Sequence, residues 1–164
     1  MKTVWVLGDQ LNRRIGALAE ADPDETRVLL VESESMLSRA FHVQRVHFVL
    51  TAMRRFAAEL SDAGFDVDLR RAASLREGFD AHVDEHDPEG VVATEPNNPK
   101  VAELFEDLGV ETVRSNQFLC HRDDFAEWAD GKSSLRMEDF YRWQRRRLGY
   151  LMDGDDPEGG KWNY

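Results

Sequence analysis

Five short runs rich in valine and leucine alternate with longer segments of helical periodicity, and this alternation limits the fold more than any other feature. The runs cover residues 3–7, 27–32, 65–70, 90–95 and 110–114. Strands that alternate with helices form right-handed βαβ crossovers, which place the strands parallel and cover both faces of the sheet. The sequence therefore predicts an α/β, Rossmann-like five-stranded parallel sheet of order 3-2-1-4-5 with helices on both faces.

The hydrophobic pattern of each run predicts its place in the sheet. Residues 27–32 form a continuous apolar run, which is typical of a buried parallel strand, whereas residues 65–70 alternate and predict an edge strand. The apolar positions of the runs predict the core. Its predicted members include Val4, Val6, Leu29, Val31, Val92 and Val113.

Between the runs, helix signals are clear. Apolar residues recur at helical spacing over residues 43–60, and Gly64 follows as a stop. Ser74 with Glu77 three residues later forms a capping-box pattern, and Pro99 suits the first turn of a helix that ends before Gly109.

After the fifth run the pattern changes. Residues 123–129 predict a short helix, and Ser133 or Ser134 is expected to cap a longer helix that runs to Met152. The turn-rich, acidic segment from residue 153 onward is expected to form no regular element. It ends with Trp162 and Tyr164, which would either fold back on their own domain or belong to an interface, as expected if the chain is a fragment.

Composition excludes several classes of protein. No stretch approaches 18 consecutive apolar residues, so no membrane span is expected, and the N-terminal segment predicts a strand and not a signal peptide. The single cysteine, Cys120, rules out an internal disulfide and a four-cysteine metal cluster, and we expect a cytoplasmic protein. The net charge of −11 argues against a typical nucleic-acid binder. An acidic, lysine-poor chain fits a halophilic source or an ordinary GC-rich genome.

Polar residues cluster where the predicted strands one, two and four end. Ligands of open parallel sheets bind beyond the carboxyl ends of the strands. Strand one is followed by Gly8, Asp9, Gln10 and Leu11; strand two ends at Glu32, with Glu34 and Met36 close by; strand four ends at Glu95. Alternatively, Asp9 caps a following helix and Glu32 is a solvated strand end. The sequence lacks the glycine-rich motifs of dinucleotide and P-loop sites and the GxSxG of hydrolases.

The histidines and the cysteine do not form a recognisable metal or nucleophile motif. His82 and His86 have the i,i+4 spacing that can chelate a metal, but the pair lies in an acidic segment that predicts a surface helix, with no matching pair elsewhere. We therefore predict no metal site. Cys120 and His121 lack a third group, which argues against a cysteine nucleophile.

Arginines concentrate in the last predicted helix, where residues 136–152 carry a net charge of +3. The five arginines are Arg136, Arg142, Arg145, Arg146 and Arg147. They would contact an anion, a nucleic acid or an acidic partner domain, or they would pair locally with the acidic tail at residues 153–158.

Several segments together resemble one family. VLGDQL at 6–11, TAMRRFAAEL at 51–60, TEP at 94–96, the segment 125–152 with its MEDFYRWQRRR stretch, and GGKWNY at 159–164 resemble the N-terminal part of photolyase-related flavoproteins. More narrowly, they resemble the iron–sulfur bacterial cryptochrome and photolyase group, which includes prokaryotic (6-4) photolyases. The resemblance spans nearly the whole chain.

This resemblance implies a two-domain, light-driven parent protein. Residues 1–130 would form an α/β antenna domain that binds a lumazine, 6,7-dimethyl-8-ribityllumazine, and residues 131–164 would form a C-terminal helix and the start of a linker. The linker would lead to a helical domain that binds FAD, a four-cysteine iron–sulfur cluster and damaged DNA. The parent would be a DNA-repairing lyase or a blue-light sensor, and this chain alone would be inactive, with the helical domain as its partner.

The resemblance also implies positions for the antenna site. Gly8, Asp9, Gln10 and Leu11 match the antenna-side loop of the family, and Glu32 matches the acid that ends strand two. Met36 stands where lumazine-binding members have a second glutamate, and Glu34 lies close enough to replace it. Two other hypotheses stay open from the residues alone. One is a stand-alone α/β module that binds a small molecule or nucleotide, and the other is an interaction domain with an empty crevice.

Overall fold

A computed structural model describes residues 1–38 and 40–163, and it divides the chain into two compact units, Met1–Gln117 and Phe118–Tyr164. The division into an antenna domain and a linker stays a prediction.

The first unit is built on a five-stranded parallel sheet of order β3-β2-β1-β4-β5. Its strands are β1 (Lys2–Trp5), β2 (Thr26–Ser33), β3 (Asp66–Ala72), β4 (Val91–Thr94) and β5 (Glu111–Val113). The fold is α/β and Rossmann-like, which confirms the predicted class and strand order. The alternating segment is the edge strand β3, as predicted, and the continuous apolar run forms the buried strand β2.

Helices cover both faces of this sheet. They are α1 (Gly16–Ala19), α2 (Glu34–Leu37), α3 (Val43–Asp62), α4 (Leu75–His86) and α5 (Pro99–Asp107). On one face, Met53, Phe56 and Leu60 of α3 pack against Val28 and Leu30 of β2. Because every second residue of a strand points to the same face, the neighbours of these valine and leucine residues build a second core.

The second core lies under α4 and α5. Trp5 of β1 stacks on Phe79 of α4 with ring centroids 5.2 Å apart, and it contacts Phe105 of α5 at 4.8 Å. Leu29 and Val31 complete the layer. Of the predicted core residues, Val4, Val6, Leu29 and Val31 are buried, whereas Val92 and Val113 are half-buried. Both half-buried residues lie in the short strands β4 and β5.

The local helix signals of this unit are confirmed. The hydroxyl of Ser74 accepts a hydrogen bond from the Glu77 amide at 3.1 Å, which caps α4. Pro99 lies in the first turn of α5, and Asn98 caps that helix. Gly64, with φ of 94°, follows the end of α3 in the left-handed region where a side chain would be strained.

Among the residues that the structure describes, the second unit contains two helices, a short hairpin and one 3-10 turn. Its helices are α6 (Arg122–Ala129) and α7 (Met137–Leu148). Phe125 and Trp128 of α6 contact Phe140 and Trp143 of α7, with the contacting ring centroids 5.1–5.9 Å apart. This aromatic cluster supplies the small core of the unit.

The bounds predicted for the last helix were too wide. The residue before α7 is Arg136, without a side-chain cap, so neither Ser133 nor Ser134 caps the helix. Glu138 and Asp139 lie in the first turn, where their negative charges interact favourably with the positive end of the helix dipole. The helix ends at Leu148, and the next residue, Gly149, has a left-handed φ of 70° that stops it before Met152.

The prediction of an irregular tail was also wrong. Strands β6 (Met152–Asp153) and β7 (Asp156–Pro157) pair antiparallel, and a 3-10 turn follows at Glu158–Gly160. Gly154 is the first residue of the two-residue loop and has φ of 61°, a left-handed conformation that glycine adopts without strain. Trp162 is half-buried, whereas Tyr164 lies outside the described residues.

None of the helices in the described part of the chain has both the length and the apolar character needed to cross a membrane.

Candidate functional site

A cavity of about 330 Å³ opens at the carboxyl edge of the sheet in the first unit, where strands β1 and β2 end. This volume lies within the range of about 300–1,000 Å³ that is typical of small-molecule sites. The lining comes from the ends of β1 and β2 and from the segments around α2, α3, α4 and α5. The apolar lining residues are Leu7, Val31, Met36, Leu37, Phe41, Val46, Val49, Met53, Leu75, Pro96 and Val101.

Gly8 keeps this cavity open at the end of β1. A Cβ atom at Gly8 would lie 3.2 Å from the sulfur of Met53 and 3.7 Å from Val49, and both of these residues line the cavity. The contact with the Met53 sulfur would be shorter than an ordinary van der Waals distance. A glycine here therefore leaves space that any side chain would fill.

Glu32 is the buried charge of the cavity. It is the penultimate residue of β2 and is only 6% exposed. Arg54 of α3 holds it with two hydrogen bonds, from Nε to Oε1 at 2.7 Å and from Nη2 to Oε2 at 2.8 Å. The hydrogen bond to Glu32 and the attraction to its charge raise the pKa of Arg54. Glu32 is thus a paired carboxylate and not a solvated strand end.

Asp9 stands at the rim of the cavity and is exposed. Its carboxylate accepts a hydrogen bond from Asn97 Nδ2 at 3.2 Å, and its backbone oxygen accepts one from Gln117 Nε2 at 2.7 Å. Asp9 therefore ties together the loops that follow β1, β4 and β5. It does not cap a helix, because α1 begins only at Gly16.

Two of the predicted site residues, Gln10 and Glu95, do not line this cavity. Gln10 is buried and turns its amide nitrogen toward the backbone oxygens of Thr94 and Glu95, at 3.4 and 3.0 Å. Glu95 Oε2 accepts a hydrogen bond from the amide of Ser115 at 3.0 Å. Both side chains are drawn into backbone hydrogen bonds between the ends of neighbouring strands, which the strand-end pattern alone does not reveal.

The other three predicted site residues lie in three different environments. Met36 lines the cavity, whereas Leu11 packs against the core under α3. Glu34 is exposed and pairs with Arg71 on the surface, with Nε and Oε1 2.9 Å apart. The binding role of all eight predicted residues stays a prediction, although Gly8, Asp9, Glu32 and Met36 meet at one cavity.

Sequence reasoning missed the cavity residues that helix α3 and the segment before it supply. Phe41 and Arg45 line the opening, and the guanidinium of Arg45 lies 4.4 Å from the centre of the Phe41 ring. Arg54 was missed as the partner of Glu32. Phe41 precedes the N-cap His42 of α3, so helical spacing does not relate it to Arg45, and no local pattern links Arg54 to a residue 22 positions earlier.

The comparisons with known proteins fit this architecture. A family model described as deoxyribodipyrimidine photo-lyase-related protein matches residues 4–164. The chain belongs to the photolyase-related family. A curated relative, the (6-4) photolyase of Agrobacterium fabrum strain C58, is 34% identical over 174 aligned residues, which cover 98% of this chain. The chain spans 34% of the length of that relative. The resemblance drawn from the sequence is thereby confirmed.

Outside the cavity, His82 of α4 forms a buried polar network with the sheet. Its Nε2 lies 2.9 Å from Thr3 Oγ1, and its Nδ1 lies 2.6 Å from Asp68 Oδ2. Arg70 Nε also donates to Asp68 Oδ2 at 2.8 Å. Burial lowers the pKa of His82 despite the carboxylate beside it. The sequence predicted a surface position for His82, whereas the ring is fully buried.

The same network brings a third potential metal ligand to the histidine pair. Asp68, His82 and His86 present ligand atoms that all lie within 4.8 Å of one another. However, both ring nitrogens of His82 already have partners, and the Asp68 oxygen is shared with the cationic Arg70. The arrangement is a satisfied hydrogen-bond network.

The arginines of α7 are used within the second unit. Arg142 pairs with Glu138 at 2.8 Å and Arg147 with Asp124 at 2.9 Å. Arg145 is buried, donates to the backbone oxygens of Tyr150, Leu151 and Trp162, and lies near the Trp162 ring. Glu138 lies one helical turn before Arg142 in α7, whereas Asp124 belongs to the first turn of α6.

Proposed function

We propose that this chain is the antenna-chromophore domain of a photolyase-related flavoprotein and that its cavity binds a lumazine, 6,7-dimethyl-8-ribityllumazine. The observation that carries the proposal is the cavity at the carboxyl edge of β1 and β2, with apolar walls and two carboxylates, in a member of the photolyase-related family. A flat heterocycle requires apolar walls, and a polyhydroxylated chain requires a few hydrogen-bond acceptors.

The residues of the cavity fit such a ligand. The side chains of Met36, Val49 and Met53 supply apolar surface for a ring, and Gly8 leaves room for it. Glu32 and Asp9 supply acceptors for hydroxyl groups, because each carboxylate oxygen has lone pairs beyond those that Arg54 and Asn97 engage. When bound, a lumazine would absorb light and pass the excitation energy to a flavin.

The activity of the whole protein is part of the same proposal. We infer a parent that carries FAD and an iron–sulfur cluster in a helical domain and acts on damaged DNA or signals in blue light. The relative named as a (6-4) photolyase supports this, and the chain spans about a third of it. This chain has one cysteine and could not hold a four-cysteine cluster by itself.

Titration of the purified chain with 6,7-dimethyl-8-ribityllumazine, followed by ligand fluorescence, tests the proposal. We expect saturable 1:1 binding in the wild type. Glu32→Gln should weaken binding by about tenfold or more, because a hydrogen bond to a charged group contributes about 1.5–3 kcal/mol. Glu34→Gln is the matched control, since Glu34 lies outside the cavity, and it should bind like the wild type.

No binding at high micromolar ligand would contradict the proposal, as would equal binding by Asp9→Ala, Glu32→Gln and the wild type. Saturable binding of AMP or ATP in place of the lumazine would instead favour the stand-alone nucleotide-binding module.

A further inference from the structure

The pair formed by Glu32 and Arg54 limits what the cavity can recognise. Arg54 approaches from outside and remains 60% exposed at its side chain, whereas that of Glu32 is 7% exposed. The guanidinium meets both carboxylate oxygens, at 2.7 and 2.8 Å. This two-bond arrangement fixes the plane of the carboxylate as well as its position.

A carboxylate has two kinds of acceptor position. Each oxygen carries two lone pairs, and one lone pair of each oxygen faces the same side, where a donor with two parallel N–H bonds can bind. Arg54 occupies that side of Glu32. The remaining two lone pairs diverge, so each can accept one separate donor, such as a hydroxyl group.

Ligands with a pteridine ring differ in the hydrogen-bond donors that they present to a carboxylate. A 2-aminopteridine presents a ring N–H and an amino N–H side by side, which is the two-donor edge that a free carboxylate would bind. A 2-oxo ring lacks that amino donor, and a ribityl chain offers several single hydroxyl donors. The geometry of the pair is therefore matched to the second type of ligand and not to the first.

We propose that Arg54 is a specificity-determining residue that makes Glu32 a receptor for single hydroxyl donors, so that the cavity selects 2-oxo heterocycles with a polyhydroxylated chain over 2-aminopteridines. This inference rests on the proposed function and deepens it. Arg54 acts through Glu32 and is a positioning residue. It also compensates the buried charge, so that the carboxylate does not require a cationic ligand.

The first test compares two ligands that differ only in the hydroxylated chain, namely 6,7-dimethyl-8-ribityllumazine and 6,7,8-trimethyllumazine. In the wild type we expect the ribityl compound to bind about tenfold tighter or more, as hydrogen bonds to a charged acceptor predict. In Arg54→Gln the ratio of the two Kd values should fall to within about threefold. A general loss of structure would weaken both ligands and leave their ratio unchanged.

Two further variants sharpen this test. Arg54→Lys keeps the charge, but a lysine cannot bind both carboxylate oxygens at once. The ratio of the two Kd values in this variant should therefore lie between those of Arg54→Gln and the wild type. Arg55→Gln removes the neighbouring arginine of α3, which does not line the cavity, and should keep the wild-type ratio. Circular dichroism of each variant verifies that the sheet and helices are intact.

The second test uses 6,7-dimethylpterin and 6,7-dimethyllumazine, which differ only in the group at ring position 2. The wild type should bind the pterin more weakly than the lumazine. Pterin binding as tight as that of the lumazine or tighter, or a ribityl-to-methyl ratio that is the same in the wild type and Arg54→Gln, would overturn the inference. Equal wild-type binding of the ribityl and methyl compounds would overturn it and leave the antenna proposal standing, whereas no binding of either lumazine would contradict both.

Discussion

At the scale of single residues, burial decides which groups respond to acid. The side chain of His82 points from α4 to the sheet, where Thr3 and Asp68 are its hydrogen-bond partners. The charged or titratable groups around this site are Arg70, Glu85 and His86. Burial works to raise the pKa of Asp68, but the hydrogen bonds from Arg70 and His82 outweigh it and hold that pKa below its ordinary value. The pKa of His82 is lowered by burial.

These shifts predict acid destabilisation in two separate ranges. The folded state resists protonation of His82, so the unfolded state binds more protons and the free energy of unfolding should fall as pH drops below about 6.5. The contribution of Asp68 should be lost only below about pH 3.8, as the pH falls through its lowered folded pKa.

Chemical denaturation between pH 8 and pH 5 measures the first effect. His82→Gln should be less stable than the wild type at pH 8 and should show a flatter decline toward pH 5. His47→Gln removes an exposed histidine and is the control, with a decline like that of the wild type. An equally steep decline in His82→Gln would show that another group is responsible.

Residue identity and strand position predicted part of the site. Gly8, Asp9 and Glu32 could be found because parallel strands bring their carboxyl ends to one edge. The directions of Gln10 and Glu95 could not, because they depend on hydrogen bonds to Thr94 and Ser115 that form only after the strands are paired. The choice between Glu32 and Glu34 likewise depends on Arg54 from another element.

At the scale of secondary-structure elements, one glycine sets how closely α4 approaches the sheet. A Cβ atom at Gly78 would lie 2.5 Å from Cγ1 of Val31 in β2. Val31 is buried, and its backbone is held in β2 by the pairing with Arg70 of β3, so the strand cannot easily withdraw from the helix. Close packing of α4 on β2 therefore requires a glycine in the middle of the helix, despite its low helix propensity.

Gly78→Ala should consequently lower the free energy of unfolding. Overpacking costs about 1–3 kcal/mol, and the gain in helix propensity of about 1 kcal/mol offsets only part of it. Gly90→Ala is the matched control, because an added Cβ there meets nothing within 4 Å. Urea denaturation of both variants measures the difference, and equal stability of the two would contradict this account of the packing.

Elements with strong local signals were predicted well, and those that depend on partners were not. The Ser74 cap and the proline at position 99 act within a few residues, so sequence alone indicates where α4 and α5 begin. The hairpin of β6 and β7 was missed because each strand has two residues and too little hydrophobic pattern to detect. A Gly-Asp pair at residues 154–155 was its one usable signal.

At the scale of the whole molecule, the first unit contains all that its cavity requires. Both hydrophobic cores and every lining residue of the cavity lie within Met1–Gln117. The alternation of strands and helices predicted the parallel sheet and the helices on both of its faces, because this fold class follows from the periodicity of the sequence. The organisation of the second unit depends on aromatic contacts between α6 and α7, for which no sequence rule is as general.

A chain truncated to residues 1–117 should therefore fold and bind ligand by itself. We expect one cooperative unfolding transition by circular dichroism, because the two cores share the strands of one sheet. Its Kd for 6,7-dimethyl-8-ribityllumazine should agree with that of the full chain within about twofold, since single-domain cores of this size are self-sufficient. An unfolded fragment, or a folded one without affinity, would contradict this expectation.

The central claim is that a lumazine binds at the carboxyl edge of the sheet, and mapping by NMR tests it most directly. Backbone amide shifts of the ¹⁵N-labelled chain would be followed as 6,7-dimethyl-8-ribityllumazine is added. The account predicts saturable shifts at Gly8, Glu32, Met36 and Val49, with little change at Glu20 near the opposite edge. Shifts confined to the edge near Glu20, or no shifts at saturating ligand, would contradict it.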